Sequence, residues 1–301
     1  MAHFEVHYYR PAGGPLGPEE MELFARTVGD YKMTYDPADG IARYLHPDTG
    51  ISFEFAQIAP DAVPTEFRAA GSPGHAGVVC RVPLNRASII GAEAVPIMLI
   101  LAQRFRLLIK HAGAATKPPA MGEQNALMEA WLDANVAAKE AAEKAGGETR
   151  YPWAHEDLAV WYRYQLMRVT LEKKMTDSGY SVAVPRMRLV RDTKADNAIR
   201  TMIEWPEYQP TIFPPVNLLR MRREKKTMLG LKKTEIIGWT ALDDVRRAIA
   251  NLVHKIGTDG GDVYLLGENQ AKQAPERVDQ VPLNTDIDRF AAVRIDEIVD
   301  V

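Results

Sequence analysis

The first regular segment of the chain alternates between apolar and polar residues. Within residues 3–10, Phe4, Val6 and Tyr8 share one face and the more polar side chains share the other, a pattern typical of a half-buried strand. After a break rich in glycine and proline, the spacing of apolar residues changes to that of a helix. This helix is predicted to begin at Pro18, because the glutamates that follow stabilise the amino-terminal end of the helix dipole.

The pattern then returns to strands. In chain order, the sequence predicts a hairpin over 41–46 and 51–58, a strand over 77–84, an apolar helix over 91–105 with Pro96 near its first turn, and a closing strand over 106–109. This order of elements is typical of an α+β sandwich, in which two helices cover one face of an antiparallel-rich sheet. We therefore predict a first domain over residues 1–112.

Small residues and two prolines occupy residues 112–120, which is the composition of a linker. The following segment, 123–145, is rich in alanine and has apolar or small residues every three or four positions, so it is predicted to be a long helix. We expect this linker and Ala-rich helix, residues 113–152, to join the first domain to a second one over residues 153–301.

Helical and strand-like patterns also follow one another in the second domain. The predicted elements are a long apolar helix over 155–175, strands over 182–190, 198–205, 217–223 and 234–239, a helix from Thr240 to Gly257 with Asp243 in its first turn, and a terminal strand formed by Val293, Ile295 and Ile298. The predicted fold class is therefore α+β, with two sheet-plus-helix domains, antiparallel-rich sheets and a long Ala-rich helix between them.

Composition narrows the functional classes. The 301 residues carry 37 Lys plus Arg against 40 Asp plus Glu, a formal net charge of −3, so no global positive field favours nucleic acid or an anionic membrane. The longest apolar run, residues 94–102, is shorter than the roughly 20 residues that a membrane span needs. With Cys80 as the one cysteine and no pattern of a signal peptide, we expect a cytoplasmic protein without a disulfide.

The motifs of several enzyme classes are absent from the sequence. It has no G-x-S-x-G turn for a nucleophilic serine and no glycine-rich loop of the kind that binds nucleotide phosphates. His3 and His7, which share a strand face, are roughly 13 Å apart along an extended chain, too far to hold one metal ion. We therefore assign no catalytic residue, no metal ligand and no cofactor.

Positive charge is concentrated between residues 220 and 233. One glutamate, Glu224, opposes the basic side chains of Arg220, Arg222, Arg223, Lys225, Lys226, Lys232 and Lys233. One interpretation is contact with an acidic surface, and another is a strand edge that charge protects from aggregation. A third is pairing with the chain's own acidic tail, residues 276–301.

An aromatic and proline-rich connection leads into this basic segment, and rigid loops of this kind present binding surfaces. The partner-binding residues that we predict are Trp205, Tyr208, Phe213, Arg220, Arg222, Arg223, Lys225 and Lys226. They define the first functional hypothesis, a non-enzymatic protein-binding module that contacts a protein with an acidic surface through residues 206–233. An inhibitor, an adaptor or a toxin-neutralising (immunity-type) protein of a bacterium would fit this description.

The alternative hypothesis is an enzyme whose site is assembled from scattered residues of the two domains, among them Cys80, His155 and Asp157. Cys80 itself is expected to be a buried, inert thiol, because it lies in the middle of a predicted strand. Nucleic-acid binding through the basic segment is the weakest interpretation, because the chain as a whole is slightly acidic.

Overall fold

A computed structural model describes residues 2–12, 14–29, 32–68, 73–114, 117–146, 150–205, 208–226, 233–258 and 261–301. The chain divides into two compact units, Met1–Arg150 with Ile295–Val299 and Tyr151–Arg294 with Asp300–Val301. Both units combine helices with sheets in which neighbouring strands are mostly antiparallel, which confirms the predicted α+β class. The domain limits that the sequence suggests, at residues 112 and 153, remain predictions.

The first unit is built on an antiparallel sheet of six strands. Its elements are β1 (His3–Arg10), α1 (Pro18–Thr27), β2 (Met33–Asp36), β3 (Ile41–Leu45), β4 (Ser52–Gln57), β5 (Gly74–Pro83), α2 (Ile89–Phe105), β6 (Leu108–His111) and α3 (Gln124–Lys144). The strand order is β2-β3-β4-β5-β1-β6, and every neighbouring pair is antiparallel. The strands, hairpin and helices predicted for this region are present, whereas β2 has no counterpart in the prediction.

The apolar face of β1 forms part of the core next to α2. Val6 and Tyr8 are fully buried, and the Tyr8 hydroxyl donates a hydrogen bond to the Met98 carbonyl of α2 at 3.3 Å. The position predicted for Pro96 is wrong, because α2 begins at Ile89 and so places the proline two turns inside the helix. The tertiary contacts of this apolar helix outweigh the one backbone hydrogen bond that a proline removes.

The Ala-rich helix α3 lies within the first unit and packs against α2. Its Trp131 is fully buried, and the indole lies so close to Gly91 that a Cβ atom there would be 2.4 Å from Cε3 of the ring. One turn later, the Asn135 side chain accepts a hydrogen bond from the Arg86 N–H at 3.0 Å and donates one to the Arg86 carbonyl at 2.8 Å. These contacts are internal to one unit, so the predicted role of α3 as a joining helix is not confirmed.

The second unit holds a mixed sheet of five strands and a smaller antiparallel sheet of three. Its elements are β7 (Tyr151–Trp153), α4 (His155–Asp177), β8 (Arg188–Asp192), β9 (Ala198–Trp205), β10 (Thr211–Phe213), β11 (Leu218–Lys226), β12 (Lys233–Ala241), α5 (Leu242–Ala248), β13 (His254–Thr258), β14 (Gly261–Leu266), α6 (Glu268–Ala271), α7 (Ala274–Val278) and β15 (Phe290–Ala292). One further strand, β16 (Ile298–Asp300), lies at the end of the chain. The strand orders are β12-β11-β9-β8-β15 and β10-β14-β13. Only β9 and β11 pair in parallel within the larger sheet.

The helix predicted up to Gly257 is wrong in its second half. It ends at Ala248 as α5, and residues 254–258 form β13, which pairs with β14 in an antiparallel hairpin. Pairing with a neighbouring strand supplies hydrogen bonds that the helical spacing of this segment does not reveal. Thr240 belongs to β12, and Ala241 occupies the N-cap position without a side-chain hydrogen bond.

Two other predicted strands are shorter than the sequence suggests. The strand predicted over 182–190 begins only at Arg188, and before it Ala183 forms an isolated bridge to Thr211. The single terminal strand predicted from Val293 is replaced by the two short strands β15 and β16. The alternation of apolar residues indicates that these segments are buried, but it does not show where a strand ends and the backbone turns towards a different partner strand.

Candidate protein-binding surface

One face of the five-stranded sheet carries a group of exposed arginines. The register places Arg220 opposite Glu204 and Trp239, and Arg222 opposite Ile237. Residues in register share one face of a sheet, so these side chains lie on the same side. We call this side the arginine face, and its exposed charged and large apolar side chains, among those that the structure describes, are Arg188, Arg200, Glu204, Arg220, Arg222, Glu235 and Ile237.

A small apolar cluster lies on the same side of the sheet. Val190, Met202 and Leu218 come from three adjacent strands and are buried, and the rings of Trp239 and Phe290 pack against them. The two ring centroids are 4.6 Å apart and the rings are nearly perpendicular, at 86°. The arginine face therefore combines a packed apolar cluster with exposed cationic side chains around it.

The segment before β15 closes one side of this cluster. The Trp239 indole donates a hydrogen bond to the Asp286 carbonyl at 3.1 Å, and the Arg289 guanidinium donates two to the buried Asp192 carboxylate at 2.8 and 2.6 Å. These hydrogen bonds from Arg289 hold the pKa of Asp192 below its ordinary value, so its carboxylate stays ionised. Arg289 is thereby engaged in an internal ion pair.

Three arginines of this face form ion pairs that are more exposed to solvent than the pair of Arg289 with Asp192. Arg188 and Arg220 share the Glu204 carboxylate at 3.2 and 3.1 Å, and Arg222 pairs with Glu235. The three arginine side chains are 59%, 44% and 50% exposed. Ion pairs this exposed contribute only about 0–1 kcal/mol to stability, so a partner carboxylate can replace them with little loss. Among the described side chains of this face, four arginines and two glutamates are exposed, and together they carry a net positive charge.

Two of the predicted partner-binding residues belong to the protein core. Trp205 is 1% exposed and Phe213 is fully buried, and their ring centroids are 4.9 Å apart. The Trp205 indole donates its N–H to the Gln209 carbonyl at 2.8 Å. In this structure the two aromatic side chains stabilise the second unit and offer no surface to a partner.

Tyr208 and Arg223 contact the chain segment after α7. The Arg223 guanidinium donates hydrogen bonds of 2.7 Å to the carbonyls of Val278 and Val281, and its Nε lies 3.9 Å from the Asp279 carboxylate. The Tyr208 hydroxyl donates to the same carboxylate, and burial together with this hydrogen bond raises the pKa of Tyr208 to about 12. At Arg223, therefore, the basic segment is paired with the acidic tail.

The remaining predicted residues divide into two groups. Arg220 and Arg222 lie on the arginine face, where alternation along β11 separates them from Arg223. Lys225 and Lys226 belong to the same strand, but their side chains lie outside the described residues, as do all of residues 227–232.

The sequence prediction missed Arg188, Arg200 and Ile237. Their strands show the alternation that exposes them, since each is flanked by buried or half-buried neighbours. What the sequence does not contain is the parallel pairing of β9 with β11. Residues 206–217 separate these two strands in the chain, so the sequence does not show that the exposed side chains of β8 and β9 share a face with those of β11 and β12.

A second group of chemically interesting residues lies in the first unit. Nδ1 of His7 is 3.0 Å from Nε2 of His75, and Nδ1 of His75 accepts a hydrogen bond from the Gly77 N–H at 2.9 Å. We therefore assign the His75 proton to Nε2, from which it is donated to His7, and the His7 proton to the other nitrogen, 3.6 Å from the Glu5 carboxylate. Both lone pairs are in use, so neither neutral ring offers one to a metal or a substrate.

The residues of the enzymatic alternative are not arranged as a catalytic group in either unit. Cys80 is fully buried, as the sequence predicts, and burial raises the pKa of its thiol well above the ordinary value. His155 and Asp157 lie in the first turn of α4, where His155 is 61% exposed and its Nδ1 lies 3.1 Å from Asp300. Within the described ranges, no three His, Cys, Asp or Glu side chains are grouped so that they could hold a metal ion.

Comparisons with known proteins add no relative. No family model, no curated protein and no solved structure matches this chain. In the part of the chain that the structure describes, no helix combines the length and the apolar character that crossing a bilayer requires.

Proposed function

We propose that the chain is a non-enzymatic protein-binding module, and that it binds an acidic protein surface through the arginine face. The observation that carries the proposal is the grouping of three exposed arginines beside an apolar cluster: Arg188 and Arg220 share Glu204, and Arg222 pairs with Glu235. Arginine and aromatic residues are the types most enriched in protein interfaces, because they combine large contact area with directional hydrogen bonds.

The proposed surface includes the basic strand β11 that the sequence indicated, together with residues of β8 and β9 that it did not. Residues 208–226 contribute Arg220 and Arg222, while Arg188 and Arg200 from β8 and β9 replace the buried Trp205 as contact residues. An inhibitor, an adaptor or a toxin-neutralising protein of a bacterium would act in this way. A cytoplasmic location is part of the proposal and is supported by the single, buried cysteine.

The experiment is affinity capture of the tagged chain from a lysate of its native cells, with mass spectrometry of the retained proteins. Wild type is compared with a triple variant, Arg188→Glu, Arg220→Glu and Arg222→Glu. We expect wild type to retain one protein in stoichiometric amount, with an acidic surface, and the triple variant to lose it.

A second triple variant serves as the matched control. Arg26, Arg43 and Arg247 are 74%, 52% and 78% exposed, and each pairs with one surface carboxylate, like the arginines of the face. Changing these three to glutamate alters the net charge equally but leaves the arginine face intact. Retention of the same protein by both triple variants, or capture of nucleic acid alone, would overturn the proposal, and so would capture of nothing.

A further inference from the structure

The edge of the five-stranded sheet is partly open at β12. The strand order places β12 last, and the backbone N–H and C=O of Trp239 point away from the sheet, since they bond to the backbone of Asn284 at 3.0 and 2.9 Å. Residues two apart in a strand direct their backbone groups to the same side. The N–H and C=O of Ile237 and Glu235 therefore also point outward, and no backbone partner for them exists among the described residues.

The chain's own segment shows that this edge accepts a second backbone. Asn284 approaches β12 closely because Gly238 lacks a side chain there, and a Cβ atom on Gly238 would lie 2.8 Å from the Asn284 oxygen. Beyond this bridge the segment leaves the edge, since the next carbonyl that contacts β12, that of Asp286, binds the Trp239 indole. One bridge is filled internally, and no other described residue pairs with the outward backbone groups of the adjoining edge at residues 235–237.

The side chains beside the free edge indicate the chemistry of its occupant. Ile237 is 38% exposed, and on the same face lie Arg220 and Arg222, one strand inward from the edge. A strand added here would direct every second side chain to the arginine face, where a carboxylate could replace Glu235 at Arg222, and the other side chains to the opposite face, beside the half-buried Ile236. Carboxylates that alternate with apolar residues would match this pattern, because cross-strand pairs of opposite charge and of apolar type stabilise a sheet.

A second copy of this chain fits the edge poorly. Antiparallel pairing of two β12 strands around Ile236 would set Lys233 of each copy opposite Trp239 of the other, where Asn284 already occupies the backbone groups. The two sheets would also carry their arginine faces on the same side. Like charges across a strand pair destabilise it, so the complementary occupant is an acidic strand of another protein.

We propose that a strand of the partner, with alternating acidic and apolar side chains, adds to β12 at residues 233–237. This inference rests on the proposed function and specifies how the partner is held: main-chain hydrogen bonds to Ile237 and Glu235, and ion pairs to Arg220 and Arg222.

The test uses a synthetic peptide with blocked ends, Val-Glu-Val-Asp-Val-Glu-Val, and a counterpart with lysine at every acidic position. Affinity is measured by fluorescence anisotropy, and hydrogen exchange of the Ile237 amide is followed by NMR. We expect the acidic peptide to bind and to slow exchange at Ile237, and the lysine peptide to do neither. Binding of both peptides, or of neither at millimolar concentration, would overturn the inference.

Two variants separate the backbone from the side chain at the edge. Ile237→Pro removes the outward N–H without removing a hydrogen bond to β11, and edge strands tolerate proline at such positions. Ile237→Ala keeps the N–H and shortens the side chain. We expect the proline variant to bind the acidic peptide about tenfold more weakly than the alanine variant, the effect of one lost hydrogen bond.

Equal affinity of these two variants would overturn strand addition. Arg220→Glu together with Arg222→Glu tests the arginine face separately, because these changes leave the edge backbone intact. Loss of binding in this double variant combined with full binding in Ile237→Pro would retain the proposed function and refute the strand mode. Circular dichroism confirms that each variant is folded.

Discussion

His7 and His75 form a hydrogen-bonded imidazole pair across β1 and β5, with 3.0 Å between Nδ1 of His7 and Nε2 of His75. The His7 ring also stacks on Phe67 at 3.8 Å, and the neighbouring Tyr9 hydroxyl donates to the Phe67 carbonyl at 2.6 Å. His7 and Tyr9 thus hold the turn that contains Phe67 against one face of the sheet. An extra proton on either ring would set two N–H groups against each other.

Acid should therefore destabilise the first unit through this pair. Burial lowers the pKa of His75 to about 4, from 6.5 in the unfolded chain, and burial also lowers the pKa of His7, although Glu5 opposes that effect. Between pH 6.5 and 4 the unfolded chain binds more protons than the folded one. The contribution of the neutral histidine pair to the free energy of unfolding is therefore fully present above pH 6.5 and is lost as the pH falls towards 4. Urea unfolding at a series of pH values measures this slope.

The variant that tests this account is His75→Asn, because asparagine keeps an acceptor for the Gly77 N–H but does not titrate. We expect its stability to depend less on pH between 6.5 and 4 than that of wild type. His254→Asn, at an exposed position of β13, serves as the control and should keep the wild-type slope. An unchanged slope in the His75 variant would show that the imidazole pair is not the cause.

Gly91→Ala should destabilise the protein although alanine is the better helix former. The new Cβ would lie 2.4 Å from Cε3 of Trp131, and a buried indole cannot move aside easily. Overpacking of this kind costs about 1–3 kcal/mol, which outweighs the roughly 1 kcal/mol gained in helix propensity. Thermal unfolding measures the difference, and Gly14→Ala, where no atom lies within 4 Å of the new Cβ, provides the comparison. A more stable Gly91 variant would contradict the packing of α3 on α2.

Arg222 and Arg223 are adjacent in the chain but should have different roles. Arg223→Ala removes hydrogen bonds to the carbonyls of Val278 and Val281 and should lower the free energy of unfolding by about 2 kcal/mol. Arg222→Ala removes one exposed ion pair and should change stability by less than about 0.5 kcal/mol. Chemical denaturation of the two variants measures the difference, and equal effects would contradict the alternation of side chains along β11.

Cys80 should be unreactive in the native protein. It is fully buried and burial raises the pKa of its thiol, so the nucleophilic thiolate is scarce and inaccessible. We expect a thiol reagent at pH 8 to label the folded chain far more slowly than the chain in denaturant. Rapid labelling of the folded chain would revive the enzymatic alternative.

Local patterns predict much of the first unit. The alternation in residues 3–10 gives β1 with both ends correct, and the turn residues between Leu45 and Ser52 give the hairpin of β3 and β4. The pattern fails where pairing with a distant strand decides the structure. The segment after Ala248 has helical spacing but forms β13, because β14 supplies its hydrogen bonds.

The candidate site shows the same division between local and distant information. The strand that carries Arg220 and Arg222 could be predicted, because its positive charge is concentrated in one continuous segment of sequence. The burial of Trp205 and the presence of Arg188 beside Arg220 depend on the sheet order β11-β9-β8. A single sequence does not contain that order, so only the structure identifies the complete arginine face.

Binding through the arginine face is decided by the dissociation constant of the captured partner for wild type and for the Arg188, Arg220 and Arg222 triple variant, at 50 and 300 mM salt. We expect wild-type binding to weaken as salt rises and the variant to bind at least about 30-fold more weakly at the lower salt, the effect of losing one strong interface contact. Equal dissociation constants for the two proteins at both salt concentrations would contradict binding through the arginine face.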